Sequence, residues 1–456
     1  MTNKGKQCAL YDGYSYNFKR QNAEGTIFWR CSEEKSKRCR GIMKSKTGEV
    51  LSTSEHQCGA PDEARLEVKK TLQQAKKRAR EEDTSVSKIY NQELGELHNK
   101  GYEFVTEMPA ELTTKRVLYQ QRCKSQGNQA EPEKRDDVVL DEEILKMKDG
   151  SSFLLADDKS GERILIFSGT LGKEGLISCE DFFMDGTFKS SCKQFAQIYS
   201  IHADYGSSTE ETNVYPVAFC LLPNKKKETY ARLFQLILKA IPNWTPRRVN
   251  VDFEAAAILA LKEVFPTAEV KGCYFHMKKC LWRRVQDVGL TRDYKENEEI
   301  RTLIKMCASL AFLKPDDVCD GWLEIYSKKT ECQKLTEFFD YFVENWMENE
   351  QNNIQQWNCH NSRHRTTNAV EGWHNKLNRM FQRPNPRIKE LIQCLKTEAE
   401  NSACTYMRIQ LNLEGKRRKL KYRKVDAGIE KTMKKYEETG DIKACLRTLS
   451  YLQKFD

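Results

Sequence analysis

Between residues 13 and 43 aromatic and polar side chains alternate in Gly13-Tyr14-Ser15-Tyr16-Asn17-Phe18, Ile27-Phe28-Trp29-Arg30-Cys31 and Cys39-Arg40-Gly41-Ile42-Met43. A period of two, interrupted at Asn22-Ala23-Glu24-Gly25 and Lys46-Thr47-Gly48, predicts a small antiparallel sheet. Over 62–83 the period changes. Ala64, Leu66, Val68, Leu72 and Ala75, set among Lys, Arg and Glu, predict an exposed helix. Helical patterns recur at 85–90 and 112–119 with Pro109 between them, an order compatible with a helix-turn-helix reader and equally with a plain helical spacer. Residues 124–132 read as a flexible linker.

Beyond residue 150 strands and helices alternate. Runs rich in β-branched and aromatic residues predict strands at 164–167, 181–188, 195–203, 214–222, 248–251 and 269–275. Helices are predicted after residue 222, with Tyr230, Leu233, Phe234, Ile237 and Leu238 on one face, and over 254–265. Three antiparallel strands followed by alternating helices and strands make a mixed α/β sheet, in the element order of the ribonuclease H fold. Asp185 falls at the end of the first strand of that sheet and Asp252 at the end of the fourth. Sites in open α/β sheets lie at the carboxyl ends of strands, so the two carboxylates are expected to face one another.

Composition narrows the class. Apolar residues make up 39% of the 456 and aromatics 10%, too many for a disordered chain. With 31% charged residues and a mean hydropathy of −0.73, the chain does not read as an integral membrane protein. The uncharged run 255–261 is far shorter than the about 20 residues that cross a bilayer. Met1-Thr2-Asn3-Lys4-Gly5-Lys6 leads into no apolar signal core, and the expectation is a protein that works inside the cell, without a membrane. Its 17 cysteines show no disulfide spacing, so most are expected as buried thiols and a few as metal ligands. The net charge of +10 is concentrated at the ends: residues 1–60 carry 11 Lys/Arg against 6 Asp/Glu, and residues 415–456 carry 13 against 6. Basic ends suggest a polyanionic partner.

A sheet of some 60 residues has little core, and a staple is expected. Cys31, Cys39, His56 and Cys58 offer a Cys/His set that tetrahedral zinc accepts. Tyr14, Tyr16, Phe28, Trp29, Cys31, Cys39 and His56 resemble the landmarks of the FLYWCH zinc finger. The chain departs from that family at its last ligand, where Cys58 stands in place of a second His. Such fingers are linked to DNA or protein binding. Arg30, Lys35, Lys37, Arg38, Arg40 and Lys44 are candidates for phosphate contact, although a basic cluster can also be a solvated face.

Two facing carboxylates repel unless a cation lies between them. Hard oxygen donors favour magnesium or manganese, and two such ions activate a hydroxyl and stabilise a leaving oxygen at phosphorus, so the pair predicts phosphoryl transfer. Taken singly, Asp185 can merely shape a turn and Asp252 can cap the following helix. Glu371 supplies a third acid, three residues before His374 on one face of a predicted helix. Asp185-Gly186-Thr187-Phe188, Asp252-Phe253-Glu254-Ala255-Ala256, Phe265-Pro266-Thr267-Ala268, Cys273-Tyr274-Phe275-His276 and Asn368-Ala369-Val370-Glu371-Gly372-Trp373-His374 resemble, in this order, the transposase domain of Mutator-like elements (MULE).

The resemblance spans about residues 145–400 and implies a DDE transposase in which Asp185, Asp252 and Glu371 hold two Mg2+ or Mn2+ ions. In that family water, and then a DNA 3′ hydroxyl, attacks phosphodiesters. The 119 residues from Asp252 to Glu371 are expected to contain a helical insertion at about 290–360. Cys273 and His276 resemble the family's Cys-x-x-His element. They read either as half of a second zinc site, completed by His374, Cys359, His360 or His364, or as packing residues at a strand-to-helix turn. An exonuclease of the same fold fits less well, because Thr187 stands where such enzymes carry a second acid.

The C-terminal run Lys416, Arg417, Arg418, Lys419, Lys421, Arg423 and Lys424 suits phosphate contact or nuclear import. The expected organisation is a FLYWCH-type finger at 8–60, a helical connector at 62–130 with a possible DNA-binding role, an RNase H-like DDE domain at 145–400 and a basic helical segment at 401–456. The expected function is a nuclear DNA transposase that binds the terminal inverted repeats of its element and target DNA, working as a homo-oligomer. The alternative is a domesticated, catalytically silent DNA-binding or transcriptional regulator.

Overall fold

The period-two stretches near the N-terminus build a five-stranded antiparallel meander: β1 (Cys8–Tyr11), β2 (Tyr14–Gln21), β3 (Ile27–Cys31), β4 (Ile42–Lys46) and β5 (Glu49–Thr53), paired in that order. Two of its hairpins close on pairs of positive-φ residues, Asp12-Gly13 (φ 47 and 72) and Thr47-Gly48 (φ 50 and 90). Turns of this hand match the twist of the strands they join. Among the described residues the core cluster of the meander holds three large buried side chains, Tyr16, Trp29 and Met43, so apolar burial alone holds it weakly. The computed structural model describes residues 7–60, 62–82, 84–125, 131–381, 384–411 and 417–455, and the chain divides into two compact units, Met1–Ala130 and Glu131–Asp456.

Helices Glu63–Glu81, Val86–Lys100 and Glu111–Ser125 complete the first unit, the first two capped by the side chains of Asp62 and Ser85. The first helix is less exposed than its pattern suggests. Val68, Thr71, Ala75 and Ala79 are buried, and the basic residues are partly committed. Lys69 donates to the Ser15 hydroxyl at 2.9 Å, Arg78 pairs with Glu82 and Glu93, and Arg122 from the third helix donates to the carbonyls of Ala79, Glu82 and Thr84. Small Ala side chains let the helices approach closely, and the cations that follow satisfy helix-end carbonyls.

The second unit is built on a seven-stranded mixed sheet of β6 (Leu154–Asp158), β7 (Ile164–Phe167), β8 (Asp181–Thr187), β9 (Gln197–Asp204), β10 (Val214–Leu222), β11 (Arg248–Val251) and β12 (Glu269–Gly272). Its order is β12-β11-β8-β9-β10-β7-β6, with β8, β9 and β10 antiparallel and β11 and β12 parallel to β8. Alternate residues of the strands face opposite layers. Phe182, Met184, Tyr199, Ile201, Ala218 and Cys220 pack beneath helices Lys227–Ala240 and Ala255–Val264. On the other face, Ile198, Phe219 and Leu221 meet Trp373 and Leu377 of helix Asn368–Met380 and Leu391 and Leu395 of helix Ile388–Gln410.

One boundary differs in kind from the pattern. The strand expected at 269–275 stops at Gly272, and Cys273 caps a helix, Tyr274–Asp287. Tyr274, Met277, Leu281 and Val285 recur at helical spacing and are all buried, which outweighs the strand preference of Tyr274 and Phe275. The C-terminal helices Leu420–Thr439 and Ile442–Leu452 place Ile429, Tyr436, Leu446 and Leu449 in one core with Leu281, Ile304, Phe312, Phe338 and Trp357 of the helical region between Tyr274 and Trp357. Helix Ile388–Gln410 runs through residue 400 without a break. No described helix is long and apolar enough to cross a membrane.

Candidate functional site

The Cys/His set of the first unit converges. Cys31 ends β3, Cys39 follows the turn after it, and His56 and Cys58 come from the segment after β5; one donor atom of each lies within 4.8 Å of all the others. Cys31 Sγ and Cys58 Sγ are 3.8 Å apart, and His56 Nδ1 is 3.5 Å from Cys39 Sγ and 3.7 Å from Cys58 Sγ. A tetrahedron with Zn–S of about 2.3 Å and Zn–N of about 2.0 Å has edges of about 3.8 Å between sulfurs and about 3.5 Å between sulfur and nitrogen. The donor set therefore fits zinc in both chemistry and spacing.

A surrounding layer fixes the ligands. The Tyr16 hydroxyl lies 2.8 Å from His56 Nε2, which leaves Nδ1 for the metal, and the Tyr14 ring stacks on the imidazole at 3.7 Å. Gly41 supplies the room, since a Cβ there would come within 2.6 Å of the His56 ring. Burial holds His56 below its ordinary value, in the neutral form a ligand needs, and pushes the Cys31 thiol up. For Cys39 burial is overcome by the amides of Gly41 and Gln57, and its thiol is lowered.

In the second unit Asp185 lies on β8 and Asp252 directly follows β11, so both stand toward the carboxyl ends of neighbouring parallel strands. Asp185 is 8% exposed; one oxygen accepts the Gly186 amide at 2.8 Å and the other lies 3.4 Å from His374 Nδ1. Asp252 accepts the Glu254 amide at 3.3 Å in a tight turn; the helix that follows has Glu254 as its N-cap residue, so the capping role open to Asp252 from the sequence is not the one it takes. Burial, reinforced by the negative charges of Asp185 and Glu254, pushes the Asp252 carboxyl up to about 6.

Glu371 occupies the first turn of helix Asn368–Met380, 3.2 Å from His276 Nε2 and 3.4 Å from Lys279 Nζ. Burial disfavours the charge on His276, yet its interactions with Cys273 and Glu371 and the field of Asp185 raise it to about 10. His276 thus pairs with Glu371 and lies within the field of Asp185. Among the described residues the oxygens of these three acids do not all fall within 4.8 Å of one another.

Among the described residues Cys273 and His276 are not gathered with a further Cys or His into one ligand set. Cys273 Sγ accepts hydrogen bonds from the amide and hydroxyl of Thr367, and His276 pairs with Glu371. His374 serves Asp185, His360 Nδ1 lies 3.0 Å from the Phe312 carbonyl, and Cys359 donates to the Trp357 carbonyl. His364 belongs to a cluster the sequence did not suggest, with Asp181 and Asp204. Its Nε2 is 2.7 Å from Asp204, while both oxygens of Asp181 are taken by Arg248, so the donor atoms of this trio already have partners within the protein.

Residues 182–280 match the model of the MULE transposase domain, and residues 1–57 match that of the FLYWCH zinc finger domain. The chain joins a FLYWCH zinc finger to a MULE transposase domain. No curated protein matches it significantly. Together the two domains make it a transposase-like or DNA-binding protein, and the finger's Cys/His cluster suggests zinc. The MULE match contains Asp185, Asp252, Cys273 and His276 and ends before Glu371 and His374. The FLYWCH match ends one residue before Cys58, which the fold nevertheless brings into the ligand set.

Of the basic candidates on the FLYWCH finger, Arg30 pairs with Glu34, and Lys37 donates to the Cys58 carbonyl at 3.4 Å. Arg38, with φ 52, and Arg40 are exposed beside the ligands. In the C-terminal run Lys416 lies outside the described residues. Arg417 bridges to Glu211, Arg418 pairs with Asp426 and donates to the Thr209 carbonyl, and Arg423 pairs with Glu210, so half of this run ties the helix to the loop after β9. Lys419, Lys421 and Lys424 remain exposed. Sequence reasoning missed Lys279, Ser200 and His202. Their one signal was polar residues at alternate places in an apolar strand, Ser200 and His202.

Proposed function

We propose that this protein is a DNA transposase of the MULE class that binds element ends and cuts and joins phosphodiesters with Asp185, Asp252 and Glu371. The observation that carries the reading is the buried pair Asp185 and Asp252 on neighbouring parallel strands: burial first, and then the negative charge of Asp185, raises Asp252, and a cation beside the pair would relieve both costs. The strand order, with an antiparallel trio continued by two parallel strands on the far side of β8, supports an RNase H-like sheet.

Oxygen donors in this setting suit Mg2+ or Mn2+, and two such ions would activate the attacking oxygen and stabilise the leaving one. The chain's own residues then divide the work. β8 and β11 hold the two aspartates, His374 braces Asp185, and Glu371 joins them by exchanging its contacts with His276 and Lys279. The FLYWCH finger and the exposed lysines near the C-terminus supply contacts to DNA, in the nucleus, and a cut at each end of an element calls for a homo-oligomer.

Cleavage of DNA carrying the element's terminal repeats, with magnesium, tests the proposal. The wild-type chain should cut and Asp185→Ala should not; equal cutting by both rejects the assignment. The engagement of Glu371 by His276 and Lys279 favours a second reading, a silent DNA-binding regulator. A wild-type chain that binds the repeats and never cuts them would leave that reading standing.

A further inference from the structure

Helix Asn368–Met380 has two faces. Val370, Trp373, His374 and Leu377 are buried against the sheet, whereas Gly372, Asn375, Lys376, Arg379 and Met380 form an exposed stripe that lines a shallow groove of about 500 Å³. From Glu371 to Arg379 the stripe runs about 12 Å at the rise of an α-helix. Gly372 is the anomaly. Glycine is among the poorest helix formers, and here nothing lies within 4 Å of where its Cβ would be, so no packing inside the molecule requires its small size.

The charge of the groove is positive. Arg379 has no ionic partner among the described residues, while Lys376 is held by Glu398 at 2.7 Å. The loop after β8 is bonded to the same helix through Ser190 and Asn378; outside the groove lining it carries exposed Lys189 and Lys193, also without ionic partners among the described residues. A donor amide, a fixed ammonium, a free guanidinium and a gap beside an acidic site suit a chain of phosphates that must pass close to the helix backbone.

We infer that this stripe is a seat for the phosphodiester backbone of the DNA strand presented to Glu371, with Gly372 as the point of closest approach and Arg379 as the main phosphate contact. The inference rests on the transposase reading above and deepens it. Gly372 is small because the partner, and not the protein, fills the space.

The test uses the full chain and a fluorescein-labelled duplex of mixed sequence, with affinity measured by anisotropy over a series of salt concentrations. Arg379→Glu should weaken binding about tenfold and reduce the salt slope by about one. Gly372→Leu should weaken binding with the slope unchanged, because it blocks approach and removes no charge. Gly372→Ala is the folding control; it should raise thermal stability while still lowering affinity. Wild-type affinity and slope in all three variants would overturn the inference and leave the transposase reading intact. Failure of the wild-type chain to bind the duplex at all would remove both.

Discussion

His374 stands with Nδ1 3.4 Å from the Asp185 carboxylate and Nε2 3.0 Å from the Ser200 hydroxyl, so one imidazole ties helix Asn368–Met380 to both central strands. The ring is buried and its neighbours are polar, which makes its removal more than a loss of packing. His374→Ala should lower stability by about 2 kcal/mol. It should also raise the magnesium concentration needed for half-maximal cleavage while leaving duplex affinity within twofold. A variant with unchanged metal dependence would reduce His374 to a packing residue.

Zinc should be inseparable from the fold of the finger, since the meander buries three large side chains and little else. Chelation of the full chain should remove one zinc and open residues 8–58 to proteolysis while the second unit stays resistant. Cys58→Ala should lose the metal under native mass spectrometry. Cys58→His should retain it, because imidazole is an equally competent fourth ligand. Retention of zinc by Cys58→Ala would show that Cys58 is not a ligand.

Tyr16 and Gly41 act on the same ion through His56. Deleting the hydroxyl 2.8 Å from Nε2 frees the ring to rotate, and Tyr16→Phe should weaken zinc binding about 10- to 100-fold with the sheet intact. Gly41→Ala should be more severe, because the added methyl group overlaps the imidazole itself. Competition with a chromophoric chelator gives both affinities, and equal affinities for wild type and Tyr16→Phe would dismiss the tyrosine.

These contacts mark where the sequence was legible. Strands β7 and β10 begin and end where their apolar runs do, because a strand covered on both faces needs a nearly unbroken apolar stretch. Tyr274 and Phe275 misled because aromatic residues suit strands and helix cores alike, and only the spacing to Met277, Leu281 and Val285 separates the two. Asp185 and Asp252 could be placed by topology. The partners of Glu371 could not, since His276 and Lys279 lie over 90 residues away and meet it only through packing. The basic run near residue 417 has the composition of a free arm, and nothing in it announces that Asp426 and Glu210 will pair with Arg418 and Arg423, or that the backbone of Arg417 will bridge to that of Glu211.

Lys278 offers a pH test of the core shared by the insertion and the C-terminal helices. Its ammonium donates to the Lys454 carbonyl at 2.6 Å between the rings of Tyr274 and Phe455. Burial, with help from the charge of Lys305, lowers it to about 8. Below that pH folded and unfolded chains both carry the proton, and the folded chain bears the cost of a buried charge. Between pH 8 and the ordinary lysine value of about 10.4 the folded chain has released the proton while the unfolded chain keeps it, so stability rises with pH across this window. Comparison with Lys278→Met removes every other titration. Denaturation midpoints at pH 7 and pH 10 should show the difference between the two proteins moving in favour of the wild type as pH rises. A shift the other way, or none, would mean that water reaches the ammonium and that the C-terminal helices sit more loosely on the insertion than the buried contacts of Tyr436, Leu446 and Leu449 indicate.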